Sequence, residues 1–228
     1  MRSTDHTYPG LEEALSTDRF ASYLGWANGD RNRAIALYTL NVALSESLQA
    51  PLHMLEIALR NRIHHVMAAA HGEKWFDVAA YQANPVQADM LAKARRNIAD
   101  ARKPETPGRL VAALTFGYWT AMVGREYEDL WQKVLKDIAR REDGKGLMRK
   151  QFSKPLSPIR TLRNRIAHHE PILYWDLPKH YDVILQITYW LSPVAAAWSR
   201  DVSRFYAVYP STGISLTQTA ATEQRTQV

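Results

Sequence analysis

Residues 162–171 read Leu-Arg-Asn-Arg-Ile-Ala-His-His-Glu-Pro. The stretch follows Ser157-Pro158, a capping residue with proline at the first helical position, which is a common helix start. We therefore predict a helix over 158–170 that ends before Pro171, because proline is poorly tolerated inside a helix. The rest of the chain shows the same helical spacing of apolar residues and no persistent strand pattern.

The predicted helix has two different sides. At 100° per residue, Asn164 and His168 lie on one face, with Arg163 at its edge. Leu162 and Ile166 lie on the opposite side, where apolar residues pack against a core. We expect the leucine and the isoleucine to anchor the helix while the other three side chains face a ligand.

Capping residues and prolines place the remaining helices. The predicted caps are Asp30, Asn84, Thr106 and Asp176. The predicted helices cover 11–24, 31–71, 85–102, 107–123, 126–141 and a last stretch from Pro178 to about 206, with Pro51 kinking or dividing the second and Pro193 bending or restarting the last. The fold class is all-α, with one domain over 11–208, a flexible arm over 1–10 and a disordered tail over 209–228.

Composition excludes several classes of protein. The 228 residues are 46% hydrophobic and 23% charged, as in ordinary globular domains. The absence of cysteine excludes disulfides, cysteine-based zinc fingers and thiol nucleophiles. With no apolar leader and no long apolar helix, we expect a cytoplasmic protein without a membrane partner. The net charge of +6 favours an anionic partner such as nucleic acid.

Arg163, Asn164 and His168 suit phosphodiester chemistry. A histidine titrates near neutral pH and can move the proton of a ribose 2′-hydroxyl. The planar guanidinium of an arginine matches phosphate oxygens and the negative charge that grows in the transition state. The asparagine can orient the imidazole or bind the substrate. Because RNA supplies its own nucleophile, this chemistry requires neither a metal ion nor a protein nucleophile.

The same residues resemble those of a known group. Arg163-Asn164-x-x-x-His168 is similar to the R-N-x-x-x-H form of the motif of HEPN ribonucleases, and the longer string resembles the Abi-like, or abortive-infection, branch of that superfamily. The resemblance extends over roughly 38–198. Its other elements are Glu56-x-x-Leu59-Arg60-Asn61, the segment Leu-Thr-Phe-Gly-Tyr-Trp at 114–119 and Trp-Leu-Ser-Pro at 190–193.

The resemblance implies an all-α HEPN-like bundle with additional helices. It also implies a homodimer in which the motif helices face each other, metal-independent endoribonuclease activity, and a role in phage defence or in a toxin–antitoxin system. Attack by the 2′-hydroxyl predicts products with a 2′,3′-cyclic phosphate. No feature of the sequence distinguishes a protein antitoxin from an RNA antitoxin. The alternative is a non-catalytic module of the same fold that binds RNA, nucleotide or a partner protein. His169 is a further candidate for catalysis or substrate binding.

Residues 59–65 nearly repeat residues 162–168, 103 positions earlier. Asn61 and His65 share a helix face in the same way as Asn164 and His168. One interpretation is a second half-site in the same chain. The interpretation that we favour is a supporting scaffold of Glu56, Arg60, Asn61 and His65, in which the glutamate and the arginine form an ion pair one turn apart.

A basic run covers residues 133–154, where eight basic and three acidic residues leave a charge of +5. It is interpreted either as a solvated surface or as a track for RNA phosphates, with Lys145, Arg149 and Lys150 as the candidate contacts. We expect no metal site and no cofactor. His168 and His169 diverge on a helix, and no partner motif completes a site with His53 and Glu56.

Overall fold

The computed structural model describes residues 8–82 and 85–217. Over these ranges the chain forms α-helices and short 3₁₀ segments and contains no strand, which confirms the all-α class. The helices are α1 (Leu11–Leu15), α2 (Thr17–Trp26), α3 (Arg31–His71), α4 (Pro85–Asp100), α5 (Pro107–Ala113), α6 (Phe116–Ala121), α7 (Glu128–Lys133), α8 (Arg149–Ala167), α9 (Leu177–Leu191), α10 (Pro193–Val202) and α11 (Phe205–Val208). The 3₁₀ segments are Trp75–Asp77, Ala79–Tyr81, Arg125–Tyr127 and Leu135–Ile138.

The chain divides into two compact units. Unit 1 combines Met1–Gln49, Asn164–Leu177 and Arg204–Val228, and unit 2 combines Ala50–Arg163 and Pro178–Ser203. Most of the predicted arm, residues 1–7, and the end of the predicted tail, residues 218–228, lie outside the described residues.

Unit 1 is built around aromatic side chains and one buried amide. Tyr23 makes edge contacts with Trp26 and Tyr38, with ring centroids 5.5 and 5.4 Å apart. Asn41 on α3 is only 4% exposed, and its Oδ1 accepts a hydrogen bond of 2.8 Å from the backbone N–H of Ile172. This bond fixes the chain just beyond Pro171, because a buried N–H without a partner is costly.

Unit 2 has its own aromatic core. Trp75, Trp119 and Trp131 are each at most 1% exposed and form part of this core. Trp131 packs against Phe152 of α8 at 5.6 Å and donates to the carbonyl of Leu147. In contrast, Trp198 is 45% exposed.

Helix α8 begins nine residues earlier than the sequence pattern predicts. Ser157 and Pro158 lie inside the helix together with Pro155, so the predicted start at this pair is wrong. Gln151, the third residue of α8, accepts a hydrogen bond from the N–H of Met148 and thus caps the true start. The buried side chains of Phe152, Leu156, Ile159 and Leu162 form one continuous apolar stripe, which stabilises the helix despite the prolines.

Other helix boundaries divide into confirmed and corrected predictions. Asp30 accepts from the N–H of Arg33, and Thr106 accepts from that of Arg109, so both caps are confirmed. Helix α4 begins at Pro85 as expected, while Asn84 lies outside the described residues. Ser192 caps α10, so Pro193 starts a new helix.

Three predicted helices have different limits. The helix over 11–24 is interrupted at Ser16, whose φ of 64° is incompatible with helix. The segments 107–123 and 126–141 break into α5, α6, α7 and 3₁₀ turns. In contrast, α3 runs from Arg31 to His71 without a division at Pro51.

Replacing Asn41 with leucine tests the importance of the buried amide. Asn41→Leu keeps the number and branching of the side-chain heavy atoms but leaves the N–H of Ile172 without its acceptor, so the free energy of unfolding should fall by about 1–3 kcal/mol in urea titrations. Gln49→Leu, the same kind of change at an exposed position of α3, is the control and should stay within about 0.5 kcal/mol. Equal effects of the two substitutions would contradict the role of Asn41.

Candidate active site at the end of helix α8

The helix that carries the motif ends in a left-handed turn. His169 has a φ of +57° and occupies the position after the helix end where glycine is most common. The N–H of Glu170 donates to the carbonyl of Arg165 at 2.8 Å, and the N–H of His169 donates to that of Ile166 at 3.1 Å. These two bonds are the pair that defines a Schellman motif.

The turn stops α8 at Ala167, three residues before the predicted end. His169 therefore lies outside the helix, although the predicted helix over 158–170 includes it. Its side chain is exposed, and its carbonyl accepts a hydrogen bond of 2.6 Å from Arg19 of α2. No sequence pattern predicts this contact, because the two residues are 150 positions apart.

An ion pair between two side chains also stabilises the turn. Nη1 of Arg165 lies 2.8 Å from Oε2 of Glu170. The two residues occupy the positions that usually make a hydrophobic contact across a Schellman motif, so here a charge pair replaces that contact. The guanidinium of Arg165 also lies over the ring of Tyr174, 5.2 Å from its centroid, which adds a cation–π interaction.

Asn164 and His168 are exposed, while Leu162 and Ile166 are 0% and 4% exposed. The expectation that the two apolar residues anchor the helix is therefore confirmed. The N–H of His168 donates to the carbonyl of Asn164 at 2.9 Å, so His168 keeps its helical register although it follows the last residue of α8. Within the described chain, no side-chain hydrogen bond engages Asn164 or His168.

Arg163, the last residue of α8 in unit 2, is oriented by a carboxylate. Its Nη2 lies 3.2 Å from Oε2 of Glu56 on α3, and the two side chains are 35% and 20% exposed. The sequence pattern pairs this glutamate with Arg60 instead. Nε of Arg60 is buried and has no hydrogen-bond partner within the described residues. A single contact at one Nη atom leaves other N–H groups of Arg163 free to donate to a ligand.

The repeated segment lines a recess of about 410 Å³ in unit 2. Asn61, His64, His65 and Glu73 surround it. His64 is the structural histidine of this group, since its Nδ1 accepts from the indole N–H of Trp75 at 3.1 Å and its Nε2 lies 3.4 Å from the Glu73 carboxylate. His65 is exposed.

The residues of the basic run differ in how many contacts they make within the protein. Arg149 is 12% exposed, and its guanidinium binds the Glu128 carboxylate at 2.5 Å, the carbonyl of Val123 and the hydroxyl of Ser153. The Gln132 amide, followed by the Arg149 guanidinium, holds the pKa of Glu128 below its usual value. Arg149 is therefore already engaged within unit 2.

Two further carboxylates take up charge in this run. Asp137 pairs with Arg140 at 2.5 Å, and Asp143 contacts both Arg141 and Lys145. Hydrogen bonds from the Arg141 guanidinium and from the N–H of Lys145 lower the pKa of Asp143 to about 2. Lys150 is exposed on α8, and no ion pair holds it in the described part of the chain.

Comparison with known proteins places the chain in a family. The model of the Abi-like protein family matches residues 16–174, which include the whole of α8 and the turn after it. The chain belongs to the Abi-like protein family. No curated protein and no solved structure matches it significantly. Membership of the Abi-like family suggests a role in abortive infection, a form of phage defence.

Two features are absent from the described residues of this Abi-like protein. No group of three or more His, Asp or Glu side chains is arranged to hold a metal ion. No helix in the same part of the chain combines the length and the apolar character that crossing a bilayer requires.

The left-handed conformation of His169 predicts that glycine is more stable at this position. His169→Gly removes the clash between Cβ and the backbone and should raise the free energy of unfolding by about 1 kcal/mol in urea titrations. His169→Ala keeps the Cβ atom and should give no such gain. If His169→Gly has the same free energy of unfolding as the unsubstituted protein, the turn is not strained by the histidine.

Proposed function

We propose that this Abi-like protein is a metal-independent endoribonuclease of the HEPN type that acts in phage defence or as a toxin. The observation that carries the proposal is the exposure of Asn164 and His168 at the end of α8. The backbone turn there is stabilised by the hydrogen bond from Arg19 and by the ion pair between Arg165 and Glu170. A rigid support for exposed polar side chains is what catalysis requires, because it fixes the reacting groups before the substrate arrives.

The proposed reaction uses the ribose of the RNA itself. His168 takes the proton from the 2′-hydroxyl, whose oxygen attacks the adjacent phosphorus, and the bond to the 5′-oxygen of the next nucleotide breaks. The products are a 2′,3′-cyclic phosphate and a 5′-hydroxyl end. Arg163 stabilises the additional negative charge on the phosphate oxygens, and Asn164 orients the imidazole or the substrate.

Proton balance provides a reason for dimerisation. One histidine accepts a proton from the nucleophile, and a second proton must reach the leaving 5′-oxygen. A symmetric homodimer would supply a second His168 for this step, because two-fold symmetry brings the same surface from both copies together. In this proposal RNA is the substrate, and a protein or RNA antitoxin restrains the activity.

Glu56 is a positioning residue in this mechanism. It contacts the guanidinium of Arg163 and would not touch the phosphate itself. An oriented guanidinium presents its planar donor face to phosphate oxygens at a lower entropic cost than a freely rotating one.

The central test compares two exposed histidines that follow an asparagine by four residues. His168→Ala should lower the rate of RNA cleavage in EDTA by about 10²–10⁴-fold, the usual contribution of a general acid–base group. His65→Ala in the repeated segment is the matched control and should retain activity. An all-deoxy substrate should resist cleavage, and analysis of the RNA ends should show the cyclic phosphate.

Three outcomes would contradict parts of this proposal. Absence of cleavage together with RNA binding would favour the non-catalytic module. Cleavage of all-deoxy substrate at a similar rate would exclude the 2′-hydroxyl mechanism. A folded His65→Ala protein as inactive as His168→Ala would assign the repeated segment to a second half-site.

Substitutions of the ion pair distinguish contact from positioning. Arg163→Lys should be nearly as inactive as Arg163→Ala, because an ammonium group lacks the planar fork of donors of a guanidinium. Glu56→Gln keeps a hydrogen-bond acceptor for Arg163, so kcat should fall less than with Glu56→Ala. Equal kcat values for the two Glu56 variants and the unsubstituted protein would remove Glu56 from the mechanism.

A further inference from the structure

A second recess, of about 420 Å³, lies in unit 2 along α8 between Arg149 and Arg160. On one side it is bounded by the turn between α6 and the 3₁₀ segment Arg125–Tyr127, and on the other by α8. We call it the α8 groove and define it by Arg125, Ser153, Lys154, Ser157 and Arg160. Neither the family match nor the motif at the end of α8 assigns it a role.

The charge of the α8 groove is unbalanced. Arg125, Lys154 and Arg160 are exposed, and none of the hydrogen bonds or ion pairs in the described part of the chain involves them. Glu126 is the acidic residue that lines the recess. Three cations around one concave surface repel each other, and a bound anion relieves this repulsion.

Two hydroxyl groups complete the polar lining. Ser153, Ser157 and Arg160 occupy positions i, i+4 and i+7 of α8 and therefore lie on one helix face. Oγ of Ser153 accepts from Nη1 of Arg149, which leaves its hydroxyl proton available for a ligand. Hydroxyl donors between guanidinium and ammonium groups are typical contacts of phosphate oxygens in nucleic-acid complexes.

The groove is also held in shape. A Cβ atom on Gly124 would lie 2.8 Å from the carbonyl oxygen of Ala121, so only glycine allows the tight turn before Arg125. The Arg149 guanidinium connects this turn to α8, since it binds the carbonyl of Val123 as well as Ser153. Arg149 thus has a positioning role beneath the groove, while the exposed cations remain free.

We propose that the α8 groove binds phosphates of a single-stranded RNA backbone through Arg125, Lys154 and Arg160. The choice of RNA rests on the proposed ribonuclease function. Arg160 precedes Asn164 by one helical turn in the sequence, and Lys154, Arg160 and Asn164 all lie on α8. Such contacts hold the strand without reading its sequence.

The test measures binding of a short single-stranded RNA with 2′-O-methyl groups, which the proposed mechanism cannot cleave. Arg125, Lys154 and Arg160 are changed together to glutamine, and affinity is followed by fluorescence anisotropy across a salt series. Each lost phosphate contact should reduce the slope of log K against log [salt] by about 0.7, so the triple variant should lose about 2. Affinity should fall most at low salt.

The matched control changes Lys93, Arg96 and Lys103 to glutamine. These side chains are also exposed in unit 2, and the change in net charge is the same. The control should alter the slope far less than the groove variant. An unchanged slope in the groove variant, or an equal loss in both variants, would overturn the proposal.

Two further measurements complete the test. Competition by inorganic phosphate or a nucleoside triphosphate at a concentration far below that needed for ionic screening would assign the groove to a free phosphate ligand and overturn the RNA proposal. If the triple variant unfolds, each single substitution should still lower the slope by about 0.7. Because the oligonucleotide is not cleaved, a failure of the His168 experiment leaves this binding result intact.

Discussion

The Schellman turn after α8 is the constraint on which the candidate site depends. A helix end leaves carbonyl groups without partners, and this turn satisfies two of them through the N–H groups of His169 and Glu170. Most such turns use glycine. Here a histidine takes the strained position, and Arg19, Arg165 and Glu170 hold it there. Contacts from both sides of the turn thus stabilise a backbone conformation that is unfavourable for a residue with a Cβ atom.

The sequence predicts the parts of this region that depend on neighbouring residues. Leu162 and Ile166 face the core, and Asn164 is exposed, because helical periodicity alone determines which side of a helix is apolar. The helix start is missed for a related reason. Ser157-Pro158 is a genuine start pattern, but the apolar stripe that begins at Phe152 outweighs it.

Sequence patterns do not predict which residues far apart in the chain come into contact. Glu56 and Arg163 are 107 positions apart, and Asn41 and Ile172 are 131 apart. Nothing in the pattern selects Arg163 over Arg60 as the partner of Glu56, since only packing decides it. The count of charges in the basic run is limited in the same way. It does not distinguish Arg149, which forms an ion pair with Glu128, from Lys150, which is exposed.

The division of the chain has a consequence for synthesis on the ribosome. Unit 1 joins an N-terminal segment to Asn164–Leu177 and to residues near the C-terminal end, so its contacts span most of the chain. Contacts of such long sequence separation form late, because loop closure precedes any gain from packing. Asn164 and His168 belong to this unit. A nascent chain therefore completes the packing of the unit that carries Asn164 and His168 only after Arg204 and the residues that follow it have been translated.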